Sequence, residues 1–237
     1  MKTEIYFWKP KLELFKNELS IIEDYYNRTR KPFNNIEAEV KNYADRFFID
    51  FIGNENTDSS DVAQEAEDQA MILHQLLNRM NQNHLFATIL MLYSTWEQQI
   101  MNLTVSELRR EISPNINRIN FDQLCKIFKC YDNNLKTKKE WGKIRELQLL
   151  NNTIKHAIGN SAEKLKKIRP DYFESPYLPG VNTLYLFGTV FSAESLQVKE
   201  DELFKYISAA MNIWDEMPEQ CSADKNEIEK ILFNSVK

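Results

Sequence analysis

The chain has 237 residues, of which 43% are hydrophobic and 12% aromatic, so it can bury a substantial core and is not disordered. Its five glycines and seven prolines favour helices over a turn-rich β architecture. Three cysteines without a CxxC spacing argue against a disulfide framework and against a zinc site. No apolar run reaches the length of a membrane span and the N-terminus lacks a signal-peptide core. We therefore expect a soluble, cytoplasmic protein without a membrane partner.

Apolar residues at helical spacing dominate the first half of the chain. The spacing predicts a first helix at residues 11–29 and a second one after Pro32. The polar segment GNENTDSSD follows and is the best candidate for an internal boundary. Helical spacing then continues from Asp61 to Leu103, either as two helices separated near residues 81–84 or as one long helix.

The second half mixes helices with one apparent β segment. Asn120 is a plausible N-cap for a short helix, and a longer helix is predicted at residues 138–158. The β-branched and aromatic stretch LYLFGTVF, residues 184–191, predicts a strand, with residues 195–198 as its partner in a small hairpin. Two further amphipathic stretches, on either side of Pro218, close the chain.

These elements predict an all-α fold. We expect an antiparallel helical bundle with a small β-hairpin near residues 184–198. The predicted domains are an N-terminal helical pair at residues 1–57, the bundle at residues 58–217 and a C-terminal helical tail at residues 218–237.

The net charge of −5 hides a strongly basic segment. Between Lys126 and Arg169 there are twelve Lys or Arg residues and four Asp or Glu residues, a net charge of +8, so the remainder carries −13. A basic block within an acidic protein attracts partners that carry phosphate, which suggests RNA. The plain alternative is that the lysines are simply solvated.

Three polar residues of the predicted helix at 138–158 share one side of it. Arg145, Asn152 and His156 are seven and four residues apart, which places them within about 40° of each other around a helix. Five apolar residues are predicted on the opposite side: Ile144, Leu147, Leu150, Ile154 and Ile158. The polar side is a solvated surface, a subunit contact or an active site.

The residue types on this side suit metal-independent RNA cleavage, in which the ribose 2′-OH attacks the adjacent phosphorus. His156 can act as a general base or acid near neutral pH. Arg145 and Lys155 can stabilise charge on a phosphate, and Asn152 can hold the imidazole or donate to an oxyanion. One chain offers one well-placed histidine, whereas a symmetric homodimer would supply two.

Other familiar sites are absent from the sequence. There is no glycine-rich phosphate loop, no HExxH and no GxSxG, so we predict neither a cofactor nor a metal. His74 and His84 lie on other helical segments without a partner pattern, and a structural or surface role is expected for both.

The stretch LYSTWEQQI, with Glu97 in mid-helix, followed by EWGKIRELQLLNNTIKHAIG, resembles the HEPN superfamily over about residues 60–217. The resemblance implies a helical bundle, often dimeric, and in many members a metal-independent RNase of bacterial defence or toxin systems. It also implies an arginine four to six residues before a histidine, with a polar residue after the arginine. Asn152 and His156 match this motif, whereas Asn151 replaces the arginine.

Three hypotheses follow. The first is a HEPN-like homodimeric ribonuclease in bacterial stress or phage defence, with Arg145 or Lys155 in place of the motif arginine. The second is a catalytically inactive HEPN-like module that binds RNA or a partner protein. The third is a helical protein whose polar side of the helix is a subunit contact. The candidate catalytic residues are His156, Asn152, Arg145, Lys155 and Glu97.

Overall fold

The computed structural model describes residues 1–51, 58–175, 177–192 and 194–233, and over these residues the protein is a helical bundle with small antiparallel β elements. The predicted fold class is therefore confirmed. No helix in the described part of the chain combines the length and the apolar character needed to cross a membrane.

The helices have the following bounds: α1 Lys9–Thr29, α2 Ile36–Phe51, α3 Ser59–Glu111, α4 Phe121–Cys130, α5 Trp141–His156, α6 Asn160–Ile168, α7 Thr183–Phe187, α8 Glu200–Asp215 and α9 Lys225–Phe233. The strands are β1 Lys2–Tyr6, β2 Glu174–Ser175, β3 Leu178–Asn182 and β4 Gln220–Asp224. The helical spacing between Asp61 and Leu103 thus belongs to one long helix, α3.

The chain divides into two compact units. The first unit comprises Met1–Glu23, Ile89–Asn152 and Lys199–Lys237, and the second comprises Asp24–Thr88 and Thr153–Val198. Both are built from segments distant in sequence, so their boundaries differ from the predicted divisions after residues 57 and 217. Residues 53–57 of the polar segment predicted as an internal boundary lie outside the described residues.

A buried glutamine joins three helices of the first unit. The Gln99 amide on α3 donates to the backbone carbonyl of Phe15, 3.1 Å away, and to the Glu18 carboxylate, 2.8 Å away. Its oxygen accepts from the Trp214 indole of α8 at 3.3 Å. The rings of Phe15 and Trp214 pack at 5.1 Å between centroids. Because both ends of the buried amide are satisfied, it fixes α1, α3 and α8 in register.

The sequence prediction missed a two-stranded sheet in the first unit. β1 pairs antiparallel with β4, with Ile5 opposite Cys221. Thr3 and Ile5 point into the core, and the Thr3 hydroxyl accepts a hydrogen bond of 3.3 Å from the buried Tyr131 hydroxyl. Strands this short carry no sequence pattern strong enough to predict them. The residues that pair with each other are more than 200 positions apart in the sequence.

The small hairpin exists, but its predicted position near residues 184–198 is wrong. β2 and β3 form it earlier, and the chain then enters α7, where a strand was predicted. The Asn182 side chain caps this helix by accepting from the Tyr185 amide at 3.2 Å. Gly188, at a φ of 65°, ends it in the left-handed conformation. These local signals outweigh the β propensity of the segment.

His84 has a packing role in the second unit. Its Nε2 lies 2.7 Å from the Thr29 hydroxyl, and its ring stacks on Tyr26 at 5.1 Å between centroids. Burial lowers the pKa of His84, and the positive charge of Arg30 lowers it further. The imidazole is therefore held neutral as part of the packing between α1 and α3.

α4 starts with Asn120 as its N-cap, as predicted, and Gln123 completes a capping box. The Asn120 side-chain oxygen accepts from the Gln123 amide at 2.9 Å, and the Gln123 side chain accepts from the Asn120 amide at 3.0 Å. Two backbone donors that the helix leaves free are thereby satisfied.

Asn120→Ala removes this acceptor, and we expect it to lower the free energy of unfolding by about 1 kcal/mol in a denaturant titration. Asn120→Ser is the matched control, because a serine hydroxyl caps a helix comparably. Equal losses of stability for the two variants would contradict a role for the cap.

Candidate functional site

The apolar side of α5 determines which polar residues of this helix reach solvent. The following predicted apolar residues are buried: Ile144, Leu147, Leu150 and Ile154. The fifth prediction, Ile158, is wrong, since this side chain is 43% exposed. α5 ends at His156, and Ala157 adopts a φ of 54°, so the chain changes direction before Ile158.

Lys155 and His156 form the last residues of α5 and lie in the second unit, where both are exposed. The left-handed Ala157 closes the helix with a hydrogen bond of 2.8 Å from its amide to the Thr153 carbonyl. Basic side chains at the C-terminal end of a helix interact favourably with its dipole. The end of α5 thus presents an exposed imidazole and, one residue before it, an exposed lysine side chain.

The basic character continues into α6 of the same unit. Lys164 and Lys167 are exposed on this helix, whereas its apolar residues Ala162 and Leu165 are buried. The acidic residue of the helix, Glu163, accepts a hydrogen bond from the Tyr185 hydroxyl. The exposed lysines produce a positive surface that favours binding of phosphate.

Asn151, which stands where the predicted HEPN motif has an arginine, is buried in the first unit. It is 1% exposed, and its amide donates to the Asn152 side-chain oxygen at 3.2 Å. Its own side-chain oxygen is buried and has no hydrogen-bond partner among the residues that the structure describes. A guanidinium at this position would be a buried charge, which is costly unless it is paired. A cation in the predicted cleavage site would therefore have to come from a residue other than residue 151.

Two of the predicted site residues, Glu97 and Arg145, belong to one polar cluster of the first unit. The Tyr93 hydroxyl donates to the Glu97 carboxylate at 2.8 Å, and Arg145 donates to the side-chain oxygen of Gln148. Burial and the Glu97 charge raise the pKa of Tyr93, whereas Gln148 and Arg145 lower it. Tyr93 and Gln148 therefore connect the two predicted residues.

Sequence analysis missed Tyr93 and Gln148. Their spacing could have indicated these contacts, because residues three or four apart are neighbours on a helix. Tyr93 precedes Glu97 by four residues, and Gln148 follows Arg145 by three. Asn152 is not part of this cluster. Seven residues separate it from Arg145, which corresponds to about 10 Å along a helix.

Metal ligation finds no support in the described part of the chain, where no group of three or more His, Cys, Asp or Glu side chains is placed to hold an ion. The three cysteines are free thiols. Burial raises the pKa of the Cys221 thiol to about 11, which leaves it protonated at neutral pH.

Comparisons of the chain with protein-family models, with curated proteins and with solved structures found no match. The resemblance to the HEPN superfamily therefore stays a prediction that depends on the residues of α3 and α5. Function has to be inferred from the chemistry of the exposed and clustered side chains themselves.

Tyr93→Phe tests the polar cluster. Removing the hydroxyl deprives the Glu97 carboxylate of a donor, and hydrogen bonds to charged groups contribute about 1.5–3 kcal/mol. We expect a loss of that size in the free energy of unfolding. Tyr177→Phe is the control, because Tyr177 is 85% exposed. If both variants were as stable as the wild type, the cluster would not stabilise the first unit.

Proposed function

We propose that this chain is a HEPN-like, metal-independent endoribonuclease that acts as a homodimer in bacterial stress or phage defence. The observation that carries this proposal is the exposed imidazole of His156 at the end of α5, with the exposed Lys155 one residue before it. A histidine side chain can act as a general base or acid, and Lys155 adds a positive charge to this end of the helix.

The proposed reaction needs two proton transfers. A base removes the proton of the ribose 2′-OH, whose oxygen attacks the adjacent phosphorus, and an acid protonates the departing 5′ oxygen of the next nucleotide. The products are a 2′,3′-cyclic phosphate and a free 5′-hydroxyl. Lys155 would stabilise the negative charge that grows on the phosphate oxygens. Asn152, Arg145 and Glu97 stay candidates from the sequence, and they belong to the first unit, so we assign them no contact with His156.

Each chain provides one histidine suited to this task among its three. His84 is packed against Tyr26 and bonded to Thr29, and burial keeps it neutral. His74 lies on α3, where its ring contacts Asn78 of the same helix. A second His156 from a symmetric partner would supply the other proton-transfer group, which is why we propose a homodimer.

A second candidate function is binding of RNA or of a partner protein without cleavage. The buried Asn151 favours it, because the HEPN motif carries an arginine at this position. The exposed lysines of α6 would then hold the RNA backbone, and affinity would fall steeply as salt concentration rises.

His156→Ala tests the first proposal in an assay of RNA cleavage with EDTA present. We expect the wild type to release 2′,3′-cyclic phosphate ends, and the variant to lose at least about 100-fold in rate, because general acid–base catalysis disappears. His74→Ala, which removes another exposed histidine, is the matched control and should cleave at the wild-type rate.

Cleavage that persists in His156→Ala, or that EDTA abolishes, would contradict the proposed ribonuclease mechanism. Wild-type protein that binds RNA with a steep salt dependence but never cleaves it would support the second candidate instead.

A further inference from the structure

The first unit contains a cavity at the N-terminal ends of α4 and α5. Its volume is about 540 Å³, within the range of roughly 300–1,000 Å³ that small-molecule sites occupy. The residues that line it are Phe121, Asp122, Cys125, Lys136, Trp141 and Arg145. Except for Arg145, none of them belongs to the site proposed for cleavage.

Two aromatic rings form one wall of this cavity. Phe121 and Trp141 lie in nearly parallel planes, 12° apart, with 6.1 Å between their centroids. The fully buried Trp96 packs against Phe121 at 6.3 Å and 55°, which supports the wall from behind. Both wall residues are half-buried, so part of their ring surface faces the cavity. Flat aromatic surfaces of this kind bind nucleobases by stacking.

Two positively charged side chains also line the cavity. Lys136 is exposed in the segment between α4 and α5, and Arg145 is half-buried on α5. Arg145 bonds to the neutral side-chain oxygen of Gln148, within the polar cluster that also contains Glu97. The acidic residue of the lining, Asp122, forms an ion pair of 2.6 Å with Lys126. The cavity therefore favours an anionic group.

The Cys125 thiol lies among the charged groups of the cavity lining. Burial raises the pKa of this thiol, the Lys136 charge lowers it, the Asp122 charge raises it and the Arg145 charge lowers it. Lys136 and Arg145 both line the cavity, so both are available to an anionic group bound there, as an ammonium and a guanidinium are around a phosphate.

We propose that this cavity binds a nucleoside phosphate, with the base stacked on Trp141 and Phe121 and the phosphate held by Lys136 and Arg145. A purely apolar ligand would not use the two cations, and a bare anion would not use the planar apolar surface. The exposed Asp122 carboxylate is an acceptor for a sugar hydroxyl or a base amino group. The proposal does not depend on ribonuclease activity.

Isothermal titration of the full chain with 5′-AMP tests this inference. We expect saturable binding of one AMP per chain, and binding at least about 10-fold weaker for adenosine and for inorganic phosphate, because each supplies half of the contacts. His156→Ala should bind AMP as the wild type does. Failure of RNA cleavage and failure of nucleotide binding are thus distinguishable.

Two variants, each with a control variant, test where the nucleotide binds. Lys136→Ala should weaken AMP binding about 10-fold through the lost phosphate contact, and Lys139→Ala, an exposed lysine in the same segment outside the lining, should not. Trp141→Leu should weaken binding by about 5- to 100-fold, and Trp141→Phe should restore most of it. No saturable AMP binding at millimolar concentration, or equal affinity in Lys136→Ala and the wild type, would overturn the proposal.

The nucleotide that this cavity holds is either free or part of RNA. Competition of a short oligoadenylate with AMP distinguishes these sources. Displacement of AMP by the oligonucleotide assigns the cavity to an RNA nucleotide, whereas AMP binding that the oligonucleotide leaves unchanged assigns it to a free nucleotide. Both results support a nucleoside phosphate site.

Discussion

The burial of the apolar side of α5 is the constraint on which the functional residues depend. Five apolar side chains of this helix are buried, namely those of Ile144, Leu147, Leu149, Leu150 and Ile154. A charged side chain in place of one of these apolar residues would be costly unless it were paired. The polar residues Gln148, Asn151 and Thr153 are buried as well, whereas Lys155 and His156 at the end of the helix are exposed.

That packing gives the polar residues of α5 three different environments. Asn151 points inward, so the position of the motif arginine carries an uncharged amide. Arg145 is held by Gln148 at the edge of a cavity with an aromatic wall. His156 is at the end of the helix, where the left-handed Ala157 turns the chain and leaves the imidazole exposed. Proton transfer suits the exposed position, whereas binding of a phosphate suits the cavity.

The sequence predicts strongly periodic and well-capped elements and fails where distant segments meet. The N-cap role of Asn120 follows from its residue type, and the burial of Asn151 follows from its helical phase. The pairing of β1 with β4 joins the two ends of the chain, and no local pattern encodes it. The cavity beside Trp141 was also missed. In the sequence, Phe121 is one apolar residue of an amphipathic helix, and its contact with Trp141 exists only in the folded chain. In α7, two capping residues outweigh a β-prone sequence.

The central claim is that two His156 side chains, one from each chain of a dimer, act in one RNA-cleaving site. Mixing wild-type chains with increasing amounts of the His156→Ala chain, and allowing the dimers to exchange, tests it most directly. If both imidazoles are needed, an equal mixture retains about a quarter of the activity of the same total amount of wild-type chain, since a quarter of the dimers are fully wild type. Retention of one half would show that each chain acts alone, and would contradict the claim.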